Sequence, residues 1–246
     1  IGRALLARAC DTLRDAGFSA PAPIERLPEN LLLDELPASV AGLPSIGLAS
    51  ETLTPIGLVP QGVLMVTGPP GSGRSTALLT LAQSVRRTNP DMRIVYMSPT
   101  PSTTARRTVW TETAIGPSAV YDRANSLISS VEFGGGSNLM VVVESVSDFG
   151  GTEAESELAR LVKTLSDASA FVVGESEVST WNQAYLLAQP FKSPRRGIVL
   201  APDGHEVDSL LNTSIGIVRQ REFPPGRGVF VEKGRGVWLQ MAQPGS

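Results

Sequence analysis

Cysteine, histidine and lysine are scarce in this chain of 246 residues. Its single cysteine, Cys10, cannot form an intrachain disulfide, and its single histidine, His205, leaves too few ligands for a Cys/His zinc cluster. Lysine occurs only at positions 163, 192 and 233, so arginine supplies most of the positive charge. These shortages exclude disulfide-stapled secreted domains and zinc-ribbon modules, and they favour a reducing cytoplasmic setting.

The chain also lacks a long hydrophobic run and an excess of positive charge. No stretch reaches the roughly 18 apolar residues that a membrane-spanning helix needs. The formal net charge of −3 argues against a broad, sequence-independent grip on nucleic acid, because such binding neutralises many phosphates. The chain begins at Ile1, so we expect it to be a piece of a longer protein, with any membrane anchor outside this piece.

The central part of the sequence alternates apolar strands with amphipathic helices, a pattern typical of a mostly parallel sheet covered on both faces. We expect residues 1–45 to form an N-terminal helix and an extended connector, and residues 46–246 to form one nucleotide-binding domain. The strands are predicted at 46–48, 55–58, 63–67, 93–97, 139–143, 170–174 and 197–200, with antiparallel edge strands at 216–219, 229–232 and 237–241. Helices are predicted at 3–16, 75–87, 118–130, 152–167 and 178–189.

A glycine-rich segment joins the strand at 63–67 to the helix at 75–87. It matches the phosphate-loop pattern G-x-x-x-x-G-K-[ST], except that arginine stands in place of lysine. A chance glycine-rich turn would also match, but the strand before it and the helix after it favour a loop whose amides surround a phosphate. Ser75 would supply the hydroxyl for Mg²⁺. The predicted ATP-binding residues are Gly68, Pro69, Pro70, Gly71, Ser72, Gly73, Arg74, Ser75 and Thr76.

Arg74 has two interpretations. Its planar guanidinium is larger than a lysine ammonium and is not equivalent to it between the phosphates, so binding would survive while catalytic geometry suffers. The other interpretation is a tolerated lysine-to-arginine exchange in a protein that uses little lysine.

A second acidic motif ends the strand at 139–143. Glu144 follows this strand, where a carboxylate that holds Mg²⁺ is expected; the alternative is a solvated acid at a strand end. The next residue, Ser145, cannot act as a general base at neutral pH. Glu175, at the end of the following strand, is a candidate catalytic acid, although such a residue is more commonly a sensor or a solvated strand end.

From about residue 26 to residue 243 the sequence resembles the FtsK/SpoIIIE ATPase superfamily, and within it the ATPase modules of EccC/EssC-type type VII secretion motors. The supporting segments are Ile46-Gly47-Leu48, the run from Gly68 to Thr76, Val143 to Phe149, Glu222 to Val229, and Val237 to Ala242. The resemblance implies a RecA-like P-loop NTPase with a mostly parallel central sheet, helices on both faces and antiparallel C-terminal edge strands.

Carried over residue by residue, the resemblance gives Glu144 the metal position, Ser145 the catalytic acid position and Asp148 a second family acid. Arg74 and Ser145 depart from the motor pattern, as in the degenerate later modules of this family. Such modules are implied to bind nucleotide stably and to dock the C-terminal signal of small helical WXG-type substrates (EsxB-like). Other ATPase modules of the same motor are the further implied partners, on the cytoplasmic side of a membrane-anchored secretion complex.

Two sets of residues are candidates for contacts with partners. Trp181, Tyr185 and Leu186 share a face of the helix predicted at 178–189 and would suit an apolar docking surface, or would pack on the sheet. Arg219, Arg221 and Arg227 flank the last strands and would contact phosphates, or would be solvated or structurally paired.

Three functions compete at this point. The first is an ATP-binding, weakly hydrolysing or non-hydrolysing module of a secretion motor. The second is an active FtsK-like ATPase that drives protein or DNA translocation, with Arg74 and Glu175 in the missing roles. The third is a P-loop kinase or another small-molecule enzyme, for which the sequence shows neither a lid nor an acceptor pocket.

Overall fold

Eleven strands form one sheet in the computed structural model, which describes residues 2–17, 26–134, 136–215 and 223–245. The strands are β1 (Ser39–Val40), β2 (Leu43–Ala49), β3 (Pro55–Gly57), β4 (Gly62–Gly68), β5 (Arg93–Ser98), β6 (Glu112–Ile115), β7 (Leu139–Val143), β8 (Phe171–Glu177), β9 (Gly197–Leu200), β10 (Arg227–Glu232) and β11 (Arg235–Met241). Their order is β1-β2-β11-β10-β9-β4-β8-β7-β5-β6, and β3 pairs with β2. The strands from β9 to β6 in this order are mutually parallel, and the others pair antiparallel.

Helices cover both faces of the sheet. The chain begins with α1 (Gly2–Asp15), whose residues of described burial are exposed. The helices on the sheet are α2 (Arg74–Thr88), α3 (Pro117–Glu132), α4 (Ala154–Asp167), α5 (Tyr185–Lys192) and α6 (Gly204–Leu211). The side chains along β4 alternate between the two faces of the sheet. Val63 and Met65 pack in the cluster that contains residues of α3 to α6, whereas Leu64 and Val66 pack with α2. The predicted fold class is therefore confirmed.

None of the helices in the described ranges has both the length and the apolar character needed to cross a bilayer.

The predicted helix at 178–189 is wrong in its first half. A 3₁₀ turn spans Val178–Thr180, and α5 begins only at Tyr185. The break turns the Trp181 side chain into the core, where it is 1% exposed and donates from its indole nitrogen to the Thr67 hydroxyl over 3.0 Å. The apolar pattern of this segment therefore reflects burial rather than one continuous helical face.

Three elements were not predicted: the two-residue strand β1, which lies in the expected connector, the strand β6 and the helix α6. β6 is a four-residue strand at the end of the sheet whose burial alternates, so it lacks an apolar run. The helix α6 was also missed. The strand predicted at 216–219 lies outside the described residues.

The C-terminal strands β10 and β11 are antiparallel as predicted, but they are not edge strands. They lie between β9 and β2, because the N-terminal strands pair along the outer side of β11. The chain before β1 also lies against the domain. Leu32 bridges to Gln243, and the Arg87 guanidinium donates to the carbonyls of Leu33 and Leu36 over 2.6 and 2.9 Å. These contacts hold the connector against the last turn of α2 and the C-terminal segment.

Candidate functional site

The glycine-rich loop runs from the end of β4 into α2, at the edge of the sheet where the parallel strands end. Gly71 and Gly73 have φ angles of 79° and 99°, in a region that side chains other than glycine rarely adopt. A Cβ atom at Gly68 would lie 2.5 Å from the Ser72 hydroxyl oxygen and 2.7 Å from the Leu200 carbonyl oxygen. The loop path therefore depends on glycine at these positions.

The loop offers polar groups that suit a phosphate. Ser72 is 5% exposed, and its hydroxyl has no hydrogen-bond partner among the described residues. The N–H groups at the start of α2 lack intrahelical acceptors, and the helix dipole adds positive potential there. The Gly226 amide donates to the Ser72 carbonyl over 2.9 Å, which fixes the loop to the C-terminal part of the chain. These groups fit a polyphosphate.

A cleft of about 350 Å³ lies beside this loop, a volume within the range of small-ligand sites. One wall is the start of α2, and the opposite wall comes from the C-terminal strands, with the exposed Arg107 at its rim. The lining residues are Gly73, Thr76, Ala77, Arg107, Pro225, Gly226, Met241, Ala242, Gln243 and Pro244. Gly73 and Thr76 belong to both the predicted phosphate-binding segment and the cleft, so the cleft is placed to take an organic group attached to a phosphate there.

Arg74 forms an ion pair at the end of β8. Its guanidinium Nη1 lies 2.8 Å from Glu175 Oε1, and the two side chains are 21% and 4% exposed. The other oxygen of the Glu175 carboxylate accepts a hydrogen bond from the Ser145 amide over 3.1 Å. Burial raises the pKa of Glu175 above the ordinary glutamate value, while Arg74 and the Ser145 amide act in the opposite direction. Glu175 thus joins the loop to the end of β7.

Glu144 is also buried, and Tyr96 of β5 holds it. The phenolic hydroxyl donates to Glu144 Oε2 and lies 2.9 Å from the Ser102 hydroxyl oxygen. The Tyr96 ring stacks on Trp110 with 4.8 Å between the ring centroids. Burial, followed by the hydrogen bond to Glu144, raises the pKa of Tyr96 well above its ordinary value, so the phenol stays protonated and can donate. Glu144 is therefore a fixed carboxylate rather than a solvated strand end.

Ser145 occupies the position after Glu144 with a strained backbone. Its φ and ψ are both 52°, in the left-handed region, and this geometry directs its amide to Glu175. Asp148, in the 3₁₀ turn Val146–Phe149, is exposed and accepts a hydrogen bond from the Ser147 hydroxyl over 3.1 Å.

The sheet brings the predicted acids to the phosphate loop, because β8 pairs with both β4 and β7. Within the described ranges no three His, Cys, Asp or Glu side chains converge into a metal cluster. Magnesium at nucleotide sites commonly uses one or two protein ligands together with phosphates and water. Ser75 and Glu144 fit that pattern in number and type.

The proposed partner-contact residues divide into buried and exposed ones. Trp181 is buried, as described above, whereas Tyr185 and Leu186 are 66% and 56% exposed at the start of α5. The Arg227 guanidinium donates to Gln240 Oε1 over 2.9 Å and to the Pro28 carbonyl over 3.0 Å, so it has a structural role. Arg219 and Arg221 lie outside the described residues.

Sequence reasoning missed Tyr96 and Arg107. Tyr96 carries the only hydroxyl-bearing ring in the buried strand Arg93–Ser98, and this polar group among aliphatic residues was the available signal. Arg107 follows a short 3₁₀ turn and carries no local motif. Its place at the cleft depends on the packing of distant segments.

No protein-family model and no curated protein matches this sequence. Solved structures do match. The cytoplasmic domain of the type VII secretion ATPase EccC from Thermomonospora curvata aligns with a TM-score of 0.72 and 21% identity, covering 93% of this chain and 29% of that chain. ATPases 2 and 3 of T. curvata EccC, in complex with a signal sequence peptide, align with a TM-score of 0.73 and 20% identity, covering 93% and 45%. EssC (ATPases 2 and 3) from Geobacillus thermodenitrificans aligns with a TM-score of 0.69 and 16% identity, covering 97% and 49%.

The chain has the fold of an EccC/EssC ATPase domain. It spans less than half the length of each of these three chains. At these identities the likeness establishes the EccC/EssC ATPase fold, and the roles of individual residues rest on the geometry described above. In that fold the glycine-rich loop, Glu144 and Glu175 lie at the carboxyl ends of the parallel strands.

Proposed function

We propose that this chain is an FtsK/SpoIIIE-type ATPase module of a type VII protein secretion motor that binds ATP with Mg²⁺ and hydrolyses it slowly or not at all. One observation carries the proposal: the loop cation Arg74 is paired with a buried carboxylate, while Ser145 stands where the base for an attacking water is expected.

The loop and the cleft support nucleotide binding. Residues 68–76 would surround the phosphates with backbone amides, and the unpartnered Ser72 hydroxyl would gain an acceptor. Bound Mg²⁺ would offset the phosphate charge and would be held by the Ser75 hydroxyl and Glu144. The cleft beside Thr76 and Ala77 would take the nucleoside.

The residues at the ends of β7 and β8 support the proposal that hydrolysis is slow. A serine hydroxyl does not accept a proton from water at neutral pH, so Ser145 cannot activate the nucleophile. Glu175 is paired with the loop cation, and both of its oxygens are engaged, one by Arg74 and one by the Ser145 amide. These contacts weigh against the alternative of an active FtsK-like translocase that uses Glu175 as its base. The net charge of −3 weighs further against translocation of DNA.

The exposed start of α5 supports a docking role. Tyr185 and Leu186 are exposed there, and Leu186 lines a groove of about 610 Å³ between α4 and α5. Arg160, Lys163 and Asp167 also line this groove. We propose that this groove takes the C-terminal signal of a small helical WXG-type secreted protein (EsxB-like), whose terminal carboxylate would face Lys163. The EccC structure solved in complex with a signal sequence peptide supports this occupant.

The remaining features of the proposal concern assembly. Residues 1–45 would connect the domain at 46–246 to other ATPase modules of the same motor. The module would act on the cytoplasmic side of a membrane-anchored secretion complex. The exposed apolar side chains Leu5 and Leu13 of α1 are consistent with contacts to such neighbours.

The double variant Arg74→Lys with Ser145→Glu tests the hydrolytic defect. We expect phosphate release to rise at least about tenfold, since a positioned general base contributes about 10²–10⁴-fold in efficient sites, while ATP affinity changes less than about threefold. The matched control, Arg74→Lys with Ser145→Gln, has a similar size without the carboxylate and should gain nothing. Unchanged phosphate release in the Glu variant, with ATP still bound, would contradict the assignment of these two positions.

A further inference from the structure

The ion pair between Arg74 and Glu175 occupies the place where a P-loop cation meets phosphate. Arg74 is the first residue of α2, directly after the loop, and its guanidinium is held 2.8 Å from the Glu175 carboxylate. The lysine that this position of the motif normally holds serves the β- and γ-phosphates of the nucleotide, and Arg74 stands in its place. Here the cation has a protein anion as its partner.

The Glu175 carboxylate resembles a terminal phosphate in its partners. One oxygen accepts from a guanidinium and the other from a backbone amide at the end of β7. Carboxylate and phosphate oxygens use the same donors, and both match the planar fork of arginine. Because Glu175 is fixed on β8, it reaches these donors without the loss of translational freedom that a free ligand suffers.

Moving Arg74 from Glu175 to a phosphate would leave a buried carboxylate without its cation. Glu175 is 4% exposed at its side chain, and Glu144 and Asp148 add negative charge nearby. Removing one member of a buried ion pair is strongly unfavourable, because the remaining charge is desolvated. Arg74 therefore stabilises Glu175 in the absence of a ligand, and this stabilisation opposes its transfer to a nucleotide.

We propose that Glu175 is a specificity-determining residue that competes with the terminal phosphate for Arg74 and so reduces the preference of the site for nucleoside triphosphate over diphosphate. The inference rests on the proposed nucleotide-binding function. The loop amides and the cleft hold the parts that both nucleotides share. The third phosphate adds affinity only to the extent that it displaces Glu175 from the guanidinium.

Calorimetric titration of the 246-residue chain with ATP and with ADP, both with Mg²⁺, tests the inference. In Glu175→Gln, ATP should bind about tenfold more tightly than in the unmodified chain, while ADP should change less than about threefold. Glu177→Gln removes the same charge from the same strand, at a side chain that accepts from Ser179 rather than Arg74, and should leave the ATP-to-ADP ratio unchanged. In an Arg74→Gln background, Glu175→Gln should no longer change that ratio.

The outcomes separate this inference from the proposed function. If the unmodified chain binds ATP but Glu175→Gln leaves the ratio unchanged, the inference is wrong and the nucleotide site stands. An equal gain in the ATP-to-ADP ratio in the Arg74→Gln background would also overturn the inference, because the charge of Glu175 would then oppose ATP binding without acting through Arg74. If neither protein binds nucleotide, the proposed function fails together with the inference. If Glu175→Gln does not fold, Glu175→Asp, whose shorter side chain draws the carboxylate away from Arg74, is judged by the same ratio.

Discussion

The glycine-rich loop at the end of β4 and the acids at the ends of β7 and β8 lie close together. They differ in which polar groups already have a partner within the protein. In the loop, Gly71 and Gly73 have left-handed torsions, the Ser72 hydroxyl has no hydrogen-bond partner among the described residues, and the first N–H groups of α2 lack intrahelical acceptors. At the acid end, the carboxylates of Glu144 and Glu175 already have protein partners. Under the proposed function, the loop would hold the phosphates, whereas Ser145 and the engaged Glu175 would limit hydrolysis, so binding would be retained where hydrolysis is slow.

A change in the loop should have the largest effect on ligand binding. Gly73→Ala places a side chain at φ 99°, with its Cβ 3.2 Å from the Gly226 nitrogen. This φ angle strains the backbone by about 2 kcal/mol, and the loop would distort to relieve that strain. We expect ATP affinity, measured by titration, to fall about 30-fold as a result.

Gly134→Ala is the matched control for the loop variant. Gly134 has a similar φ of 93°, has no atom within 4 Å of the added Cβ, and lies at the turn after α3. It should lower the free energy of unfolding by a similar amount and leave ATP affinity unchanged. Equal losses of affinity in both variants would show that the loop conformation has no special role.

A change at the acid end should have a smaller effect, and on stability rather than binding. Tyr96→Phe removes the donor to the buried Glu144 carboxylate but keeps the ring stacked on Trp110. We expect the free energy of unfolding in urea to fall by about 1.5 kcal/mol, while ATP affinity stays within about threefold.

Tyr121→Phe controls for the loss of a hydroxyl, because Tyr121 is 39% exposed on α3. It should change the unfolding free energy by less than about 0.5 kcal/mol. If Tyr96→Phe instead removed ATP binding as completely as the loop variant, the separation between the two parts of the site would be wrong.

The loop could be predicted from the sequence because the features that define it are local. The order of strand, glycines and helix is written in consecutive residues, and Gly68 to Thr76 lie where that order places them. The five strands predicted between residues 63 and 200 also appear, since buried parallel strands form continuous apolar runs.

The contacts at the acid end were not accessible, because they depend on strand order. Glu175 meets Arg74 only because β8 lies between β4 and β7, and Tyr96 reaches Glu144 from the neighbouring β5. The connector before residue 46 shows the same limit: its proline-rich composition indicated irregular chain, but not that Arg87 would bind its carbonyls. Local propensity describes the path of such segments without identifying their tertiary partners.

The most direct test of the central claim is to isolate the unmodified chain, identify its bound nucleotide by chromatography, and follow phosphate release with added ATP and Mg²⁺. Nucleotide that is recovered as intact ATP, with release at the rate of the protein-free background, is the predicted result. Steady release well above that background would contradict the account, because the site would then activate water despite Ser145 and the engaged Glu175.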